Sequence, residues 1–400
     1  MLREIKKPNR DHARRVMQLL VAAIRPLRVE ELAEVLAVDF EDAEGVPKLK
    51  PNWRWEDQEQ ALLTSCSSLI AVVGTGHFRV VQFSHFSVKE YLTSTRLTNS
   101  SQDVSRYHIA LEPAHTILAQ ACVSALLQFP DRDEENNVEK NAPLARYAAE
   151  CWVRHAQFEN VVSQIKGMEY LFDPDKPYFS AWRNLHDIDI DSPDSVFYYF
   201  SSFGSRGTPL YYAALCGFRN LAEQMIVKHP QHVNAICGYY MTPAVAALAR
   251  GHIELARVLH RNGSSVDPRS RNVGNSPLHG AAYNANLEMV QVLLDCGVDA
   301  NVQSNSGSTP LAVTTYGNFK DPRVVRLLLD HGADPNVPRE GGTTPLHHAS
   351  ESGRVEIARL LLEHDASVEV KDGMGRTPLD VASGERREEI MELLLEHRAK

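Results

Sequence analysis

Six Thr-Pro or Ser-Pro pairs punctuate the second half of this chain at nearly constant intervals, and nothing else in the sequence narrows its folding options as far. Thr208-Pro209-Leu210, Thr242-Pro243-Ala244, Ser276-Pro277-Leu278, Thr309-Pro310-Leu311, Thr344-Pro345-Leu346 and Thr377-Pro378-Leu379 are spaced by 34, 34, 33, 35 and 33 residues. A fixed period of this length marks a stacked-repeat architecture. The local chemistry agrees. The Thr or Ser hydroxyl caps a first helix, and proline at the first helical position surrenders no hydrogen bond it needed. Second apolar segments follow as ELARVLH, EMVQVLL, RVVRLLL, EIARLLL and EIMELLL. Their leucine rows must bury against neighbouring units, because one unit cannot hide its apolar face alone. Gly263, Gly297 and Gly332 suit the left-handed turn that closes such a helix.

With the TPLH of Thr344-Pro345-Leu346-His347 and the SPLH of Ser276-Pro277-Leu278-His279, residues 205–400 resemble an ankyrin repeat domain of six units. Val245 and Ala312 depart from the usual histidine, Ala285 from the usual glycine, and two extra residues lie between Thr309 and Leu328. The resemblance implies an α-solenoid scaffold that takes protein partners in a groove and on projecting fingers. Laid onto the repeat pattern, Tyr212, Arg250, Tyr283, Tyr316 and His348 are expected on the first-helix face lining the groove. Tyr239, Tyr240, Arg271, Arg339, Lys371 and Met374 are expected on the fingers. Tyrosine and arginine are frequent interface anchors, although each of these positions also suits plain solvated surface.

The N-terminal region has a different rhythm. Residues 10–24 carry apolar side chains at helical spacing until Pro26, and 29–38 and 56–66 read as two further helices. Strands at 69–73 and 78–83, joined by the tight GTGH turn, lead to a helix from Ser87, with Ser87 and Glu90 forming a capping box. Three helices followed by a hairpin is the order of a winged-helix domain, expected over 1–103, with a helical linker and solenoid cap over 104–204. Many winged helices read DNA through the third helix. Here that helix begins WEDQEQALLTSC, and Glu56, Asp57 and Glu59 would repel phosphates.

IRPLRVEELAEVLAV, SLIAVV and VVQFSHFSVKEYLTS resemble the winged helix that follows the NACHT nucleotide-binding module in fungal NACHT–ankyrin proteins. These are STAND-class relatives of the NOD-like receptors, and 142–156 resembles the helical region joining that winged helix to the repeats. In such receptors a motif F-x-H-x-S-hydrophobic-x-E-aromatic supplies a histidine that reaches the phosphate of bound ADP and holds the closed state. Phe83-Ser84-His85-Phe86-Ser87-Val88-Lys89-Glu90-Tyr91 fits that form. The resemblance therefore makes His85 a nucleotide-sensing candidate. The dipeptide Gly-Lys occurs nowhere in the chain, so the phosphate cradle of a P-loop is missing. His85 is then either a relic satisfied by a backbone carbonyl or the sensor of a P-loop partner acting in trans.

Composition closes off further classes. The net charge is −9, and the chain is mildly acidic on both sides of Gly207, against the basic footprint of a nucleic-acid binder. No apolar run has the ~18–20 residues of a membrane span, and MLREIKKPNRDH lacks the core of a signal peptide. Six scattered cysteines without a CxxC pair speak against a disulfide framework or zinc site and for a reducing, cytoplasmic setting. No GxSxG elbow occurs, a relevant absence because this winged-helix type is also named after a GPI inositol-deacylase. Cys66 and His85 are the nearest thing to a Cys–His pair, and Cys66 reads as core. The sequence thus predicts a mostly α, non-enzymatic scaffold or regulatory module without cofactor or metal, its repeats capturing protein partners and relaying to the winged helix. The alternative is half of a split or truncated NACHT NTPase switch.

Overall fold

The computed structural model describes residues 2, 5–40, 46–53, 57–66, 69–75, 78–128, 142–189, 206–269, 274–316, 321–382 and 387–398. The chain divides into two compact units, Met1–Ile188 and Asp189–Lys400.

The first unit begins with α1 (Arg10–Ala22), α2 (Val29–Leu36) and α3 (Gln58–Cys66). Val16, Met17, Leu19, Leu32, Val35, Leu62 and Cys66 are buried, as the apolar spacing requires. The hairpin is β4 (Ile70–Val73) and β5 (Val80–Phe83), paired antiparallel with Ile70 opposite Phe83 and Val73 opposite Val80. A two-residue strand, β1 (Leu27–Arg28), completes a three-stranded sheet in the order β1-β5-β4. It is too short to show an alternation in the sequence. Val38, read as the last residue of the second helix, instead lies in β2 (Val38–Asp39), which pairs with β3 (Lys48–Leu49). Glu59 of α3 forms an ion pair with Arg79, so this carboxylate fastens the third helix to the hairpin.

α4 spans Phe86–Thr93 and starts earlier than the Ser87–Glu90 capping box predicts. Its N-cap is His85, whose Nδ1 accepts from the Ser87 N–H at 3.2 Å. A ring nitrogen does here what a hydroxyl was expected to do.

Helices Leu111–Gln128 and Pro143–Ala156 pack along one another and onto α1 and α2. Sequence reading set 104–204 apart as a linker, whereas 104–188 fold together with the winged helix in one unit. Glu34, fully buried in α2, accepts the Leu144 N–H at 2.6 Å and caps the start of the Pro143–Ala156 helix from a distance. Trp182 donates from Nε1 to the Ala149 carbonyl at 3.2 Å and meets Trp152 edge-on, 5.2 Å between ring centroids. Residues 161–204 read as irregular helices capping the first repeat, and of these 161–188 instead build into this unit. The aromatic run Phe197-Tyr198-Tyr199-Phe200, which falls in the stretch read as the solenoid cap, lies outside the described residues.

Along the same helices runs a buried polar chain. Arg25 forms two bonds to Glu31, 2.8 and 2.9 Å, and lies over the Tyr147 ring. The Tyr147 hydroxyl accepts from Ile24 N–H and lies 2.9 Å from His155 Nε2, and His155 Nδ1 lies 2.8 Å from His115 Nδ1. Burial holds His155 down at about 3 and His115 below its ordinary value, which favours the neutral ring in both.

The second unit is a stack of paired helices. First helices Pro209–Cys216, Pro243–Ala249, Pro277–Tyr283, Pro310–Tyr316, Pro345–Glu351 and Pro378–Val381 alternate with second helices Arg219–Lys228, Ile253–Arg261, Leu287–Asp295, Pro322–Asp330, Val355–Glu363 and Arg387–Arg398. Thr208, Thr242 and Thr377 cap as expected, each hydroxyl accepting an N–H three residues on. In two units the motif histidine does more. His279 Nδ1 accepts from the Ser276 N–H at 3.1 Å while Nε2 donates to the Ser308 carbonyl at 2.8 Å, joining its unit to the next. His347 joins Thr344 to the Arg376 carbonyl in the same way. The leucine rows are buried, Leu259, Leu293, Leu328 and Leu361 each fully. Gly263, Gly297 and Gly332 take the left-handed conformation, and Ala285 keeps it without the glycine, at φ +53°. Among the described residues no helix is long and apolar enough to cross a membrane.

Candidate protein interaction surface

Between consecutive helix pairs the backbone closes small fingers by one repeated bond, from residue i N–H to the carbonyl of i+4. The pairs are Cys237–Met241 at 2.7 Å, Ser304–Ser308 at 2.9 Å, Arg339–Thr343 at 3.0 Å and Asp372–Arg376 at 2.9 Å. Fingers also bond to each other, Glu340 N–H to the Ser306 carbonyl at 3.0 Å and Gly373 N–H to the Gly341 carbonyl at 2.7 Å. Asparagines brace their bases. Asn301 bonds to Gly332 and Asp334, and Asn336 to Asp365 and Ser367, all at 2.7–3.0 Å. With the backbone groups tied in this way, the outward side chains stand on a frame that needs little ordering upon contact.

The structure sorts the proposed contact residues. Tyr239, Arg250, Tyr283, Arg339 and His348 are half-buried, presenting part of each side chain, while Lys371 is exposed and Met374 is 79% exposed. Arg339 and His348 come together. Burial first, and the Arg339 guanidinium next, hold the His348 imidazole below its ordinary value. Arg354, half-buried in the same neighbourhood, donates to the Thr314 carbonyl of the preceding unit at 3.0 Å. The Tyr316 side chain and Arg271 lie outside the described residues.

Two tyrosines correct the sequence reading. Tyr212 and Tyr240 are each only 1% exposed and cannot act as groove or finger contacts. Local packing explains Tyr212. It is the fifth residue of its unit counted from Thr208, the place that half-buried His348 holds in its own unit. The fifth position of the first unit faces inward, where the Tyr212 ring lies edge-on to Tyr211 and an added side chain on Gly207 would meet it at 2.6 Å. Tyr240 is drawn in because its amide bonds to the Tyr211 hydroxyl at 3.0 Å.

His85 is exposed at the start of α4. Its Nδ1 lies 2.7 Å from Ser87 Oγ, so its local partners are the Ser87 hydroxyl and amide where the relic reading expected a backbone carbonyl. Cys66 is no partner for it. The thiol is fully buried, rests against the Ala13 carbonyl and is pushed up to about 12 by burial.

Sequence reasoning missed Tyr211 and Asp189. Asp189 is buried and accepts the Tyr211 hydroxyl at 2.6 Å and the Tyr239 amide at 2.7 Å. A signal for Tyr211 existed, since it occupies the place that His279 and His347 hold in their units. Asp189, in the run DIDID, had none.

The fold is that of a winged helix followed by ankyrin repeats, an architecture whose repeats suggest protein partners. Comparison with known families agrees. Overlapping matches to ankyrin repeats (3 copies) run over 210–304, 244–339, 278–372 and 311–400, and residues 2–103 match the GPI inositol-deacylase winged helix domain. Among curated proteins, the chain is similar to azaphilone pigments biosynthesis cluster protein L of Monascus ruber, 30% identical over 273 residues, covering 64% of this chain and 56% of that protein. Ankyrin repeat and SAM domain-containing protein 6 of Mus musculus is 28% identical over 120 residues, 30% of this chain and 14% of that protein. Ankyrin repeat and SOCS box protein 16 of Homo sapiens is 40% identical over 73 residues, 18% of this chain and 16% of that protein. The chain therefore spans little more than half of the first of these relatives and a small part of the others.

Proposed function

We propose that this chain is a non-enzymatic scaffold whose repeats capture a protein partner and relay that event to the STAND-type winged helix. The observation that carries this reading is the braced row of fingers and first helices, which holds half-exposed Tyr239, Tyr283, Arg339 and His348 on a frame with its backbone bonds already made. Tyrosine and arginine presented on a rigid frame give contact area at low entropic cost. The test is capture of partners by the full chain, followed by Tyr283→Ala. That variant is expected to weaken capture by about 1–2 kcal/mol while leaving circular dichroism unchanged. Undiminished capture by a folded Tyr283→Ala variant would move recognition to the fingers around Tyr239 and Arg339, and no capture by any variant would sink the proposal.

A second reading is favoured by one observation, the exposure of His85 beside the Ser87 hydroxyl. In this reading the chain is half of a NACHT-type switch, and His85 meets a nucleotide phosphate held by a P-loop chain in trans. The chain alone is then expected to bind neither ATP nor ADP tightly, since it has no Gly-Lys cradle. Calorimetry is the check, and micromolar binding that disappears in His85→Ala would contradict this expectation.

A further inference from the structure

The first finger is held differently from the other described fingers, and the difference comes from a residue that precedes every repeat motif. Asp189 is 6% exposed and belongs to the repeat unit, although it stands well before Thr208. One of its carboxylate oxygens accepts the Tyr211 O–H at 2.6 Å and the other accepts the Tyr239 N–H at 2.7 Å. The Tyr211 oxygen in turn accepts the next amide, Tyr240 N–H, at 3.0 Å. One carboxylate thus fixes two successive finger amides, the first directly and the second through a phenol. The finger is shaped around that phenol. Gly238 is left-handed at φ +66°, and a side chain added there would strike the Tyr211 ring at 2.3 Å. Met241 at φ +70° is left-handed too, although it is not glycine. Such a conformation costs free energy in an L-residue and persists where its surroundings over-determine it. Where the histidine units use an imidazole to reach the next finger, this unit uses a phenol oriented by an aspartate.

We propose that Asp189 is the positioning residue of the first finger, setting the geometry in which Tyr239 meets a partner. The functional half of this inference rests on the reading that the fingers take part in capture. It makes a residue outside the repeat period part of the recognition surface, and it gives the two amides separate dependencies. In Asp189→Ala the Tyr239 amide loses its acceptor while the Tyr211 oxygen remains for Tyr240. In Tyr211→Phe the Tyr240 amide loses its acceptor while Asp189 remains for Tyr239.

The experiment is residue-resolved amide exchange on the full chain and on these two variants. Asp189→Ala should speed exchange at Tyr239 about tenfold with a smaller change at Tyr240, and Tyr211→Phe should reverse that order. Protection in Val290–Leu294 should stay at the wild-type level in both. A crossed pattern of this kind is not expected from general loosening of the unit. Unchanged exchange at both amides, or an equal rise throughout the array, would overturn the assignment. Capture by the same proteins keeps the two ideas apart. If wild type captures a partner, Asp189→Ala should weaken capture about tenfold, and undiminished capture with lost protection would remove the functional half. If wild type captures nothing, the scaffold reading fails while the exchange pattern still decides the role of Asp189.

Discussion

Replacing Leu361 with alanine is expected to destabilise the repeat array by about 2–5 kcal/mol, among the largest effects of any single truncation in this chain. Leu361 has no exposed surface, and its neighbour Leu360 is 1% exposed. The helix that carries it, Val355–Glu363, packs against Pro322–Asp330 on one side and Arg387–Arg398 on the other. Truncation therefore opens a cavity inside the stack, and the loss includes both transfer and cavity terms. Because units couple only to their neighbours, the last two units should lose amide protection at lower denaturant than the first two. Chemical denaturation with exchange readout checks this. A shift below about 0.5 kcal/mol, the level of an innocuous surface substitution, would show that the leucine register is wrong.

Acid should unfold the first unit through His155. The ring is fully buried between Tyr147 and His115, and burial lowers its folded value from 6.5 to about 3. Both ring nitrogens already face partners, the Tyr147 hydroxyl at 2.9 Å and His115 Nδ1 at 2.8 Å, so a second proton must be taken up in a site shut off from water. The unfolded protein takes up that proton as pH falls through 6.5, whereas the native protein refuses it until about 3. The contribution is therefore complete above 6.5 and is lost progressively between 6.5 and 3. In that window each pH unit should remove about 1.4 kcal/mol, or nearly 3 kcal/mol by pH 4.5. The measurement is the urea midpoint of the first unit, followed by Trp152 and Trp182 fluorescence from pH 7.5 to 4.5. His155→Gln should be less stable at neutral pH and show a flatter dependence. An equal slope in the variant would mean that the acid sensitivity lies in other groups. His279, which burial lowers to about 4, should give the repeat unit its own acid sensitivity in the same direction.

The sequence by itself determined whatever depends on bonds spanning a few residues or on a repeated spacing. The Thr-Pro caps, the leucine rows and the left-handed glycines are encoded within three or four positions of themselves. A period of 33–35 residues then dictates stacking, because each unit must bury the same apolar face. The order of three helices and a hairpin was legible for the same reason, and so was the place of His85 at the joint before α4. Which side chains reach solvent was decided only in the tertiary structure. Tyr212 and Tyr283 read alike, yet the first is buried and the second half-exposed, because Tyr211 and Gly207 close over the Tyr212 ring in the first unit. The polar links that organise each unit were also out of reach of spacing arguments. Glu34 caps a helix 110 positions away, His115 meets His155 across 40, and Asp189 meets Tyr239 across 50. A carboxylate or imidazole at such a separation has the same local sequence whether it faces water or a buried partner. Only the packing that excludes water makes a partner necessary, and that packing exists only once the chain has folded.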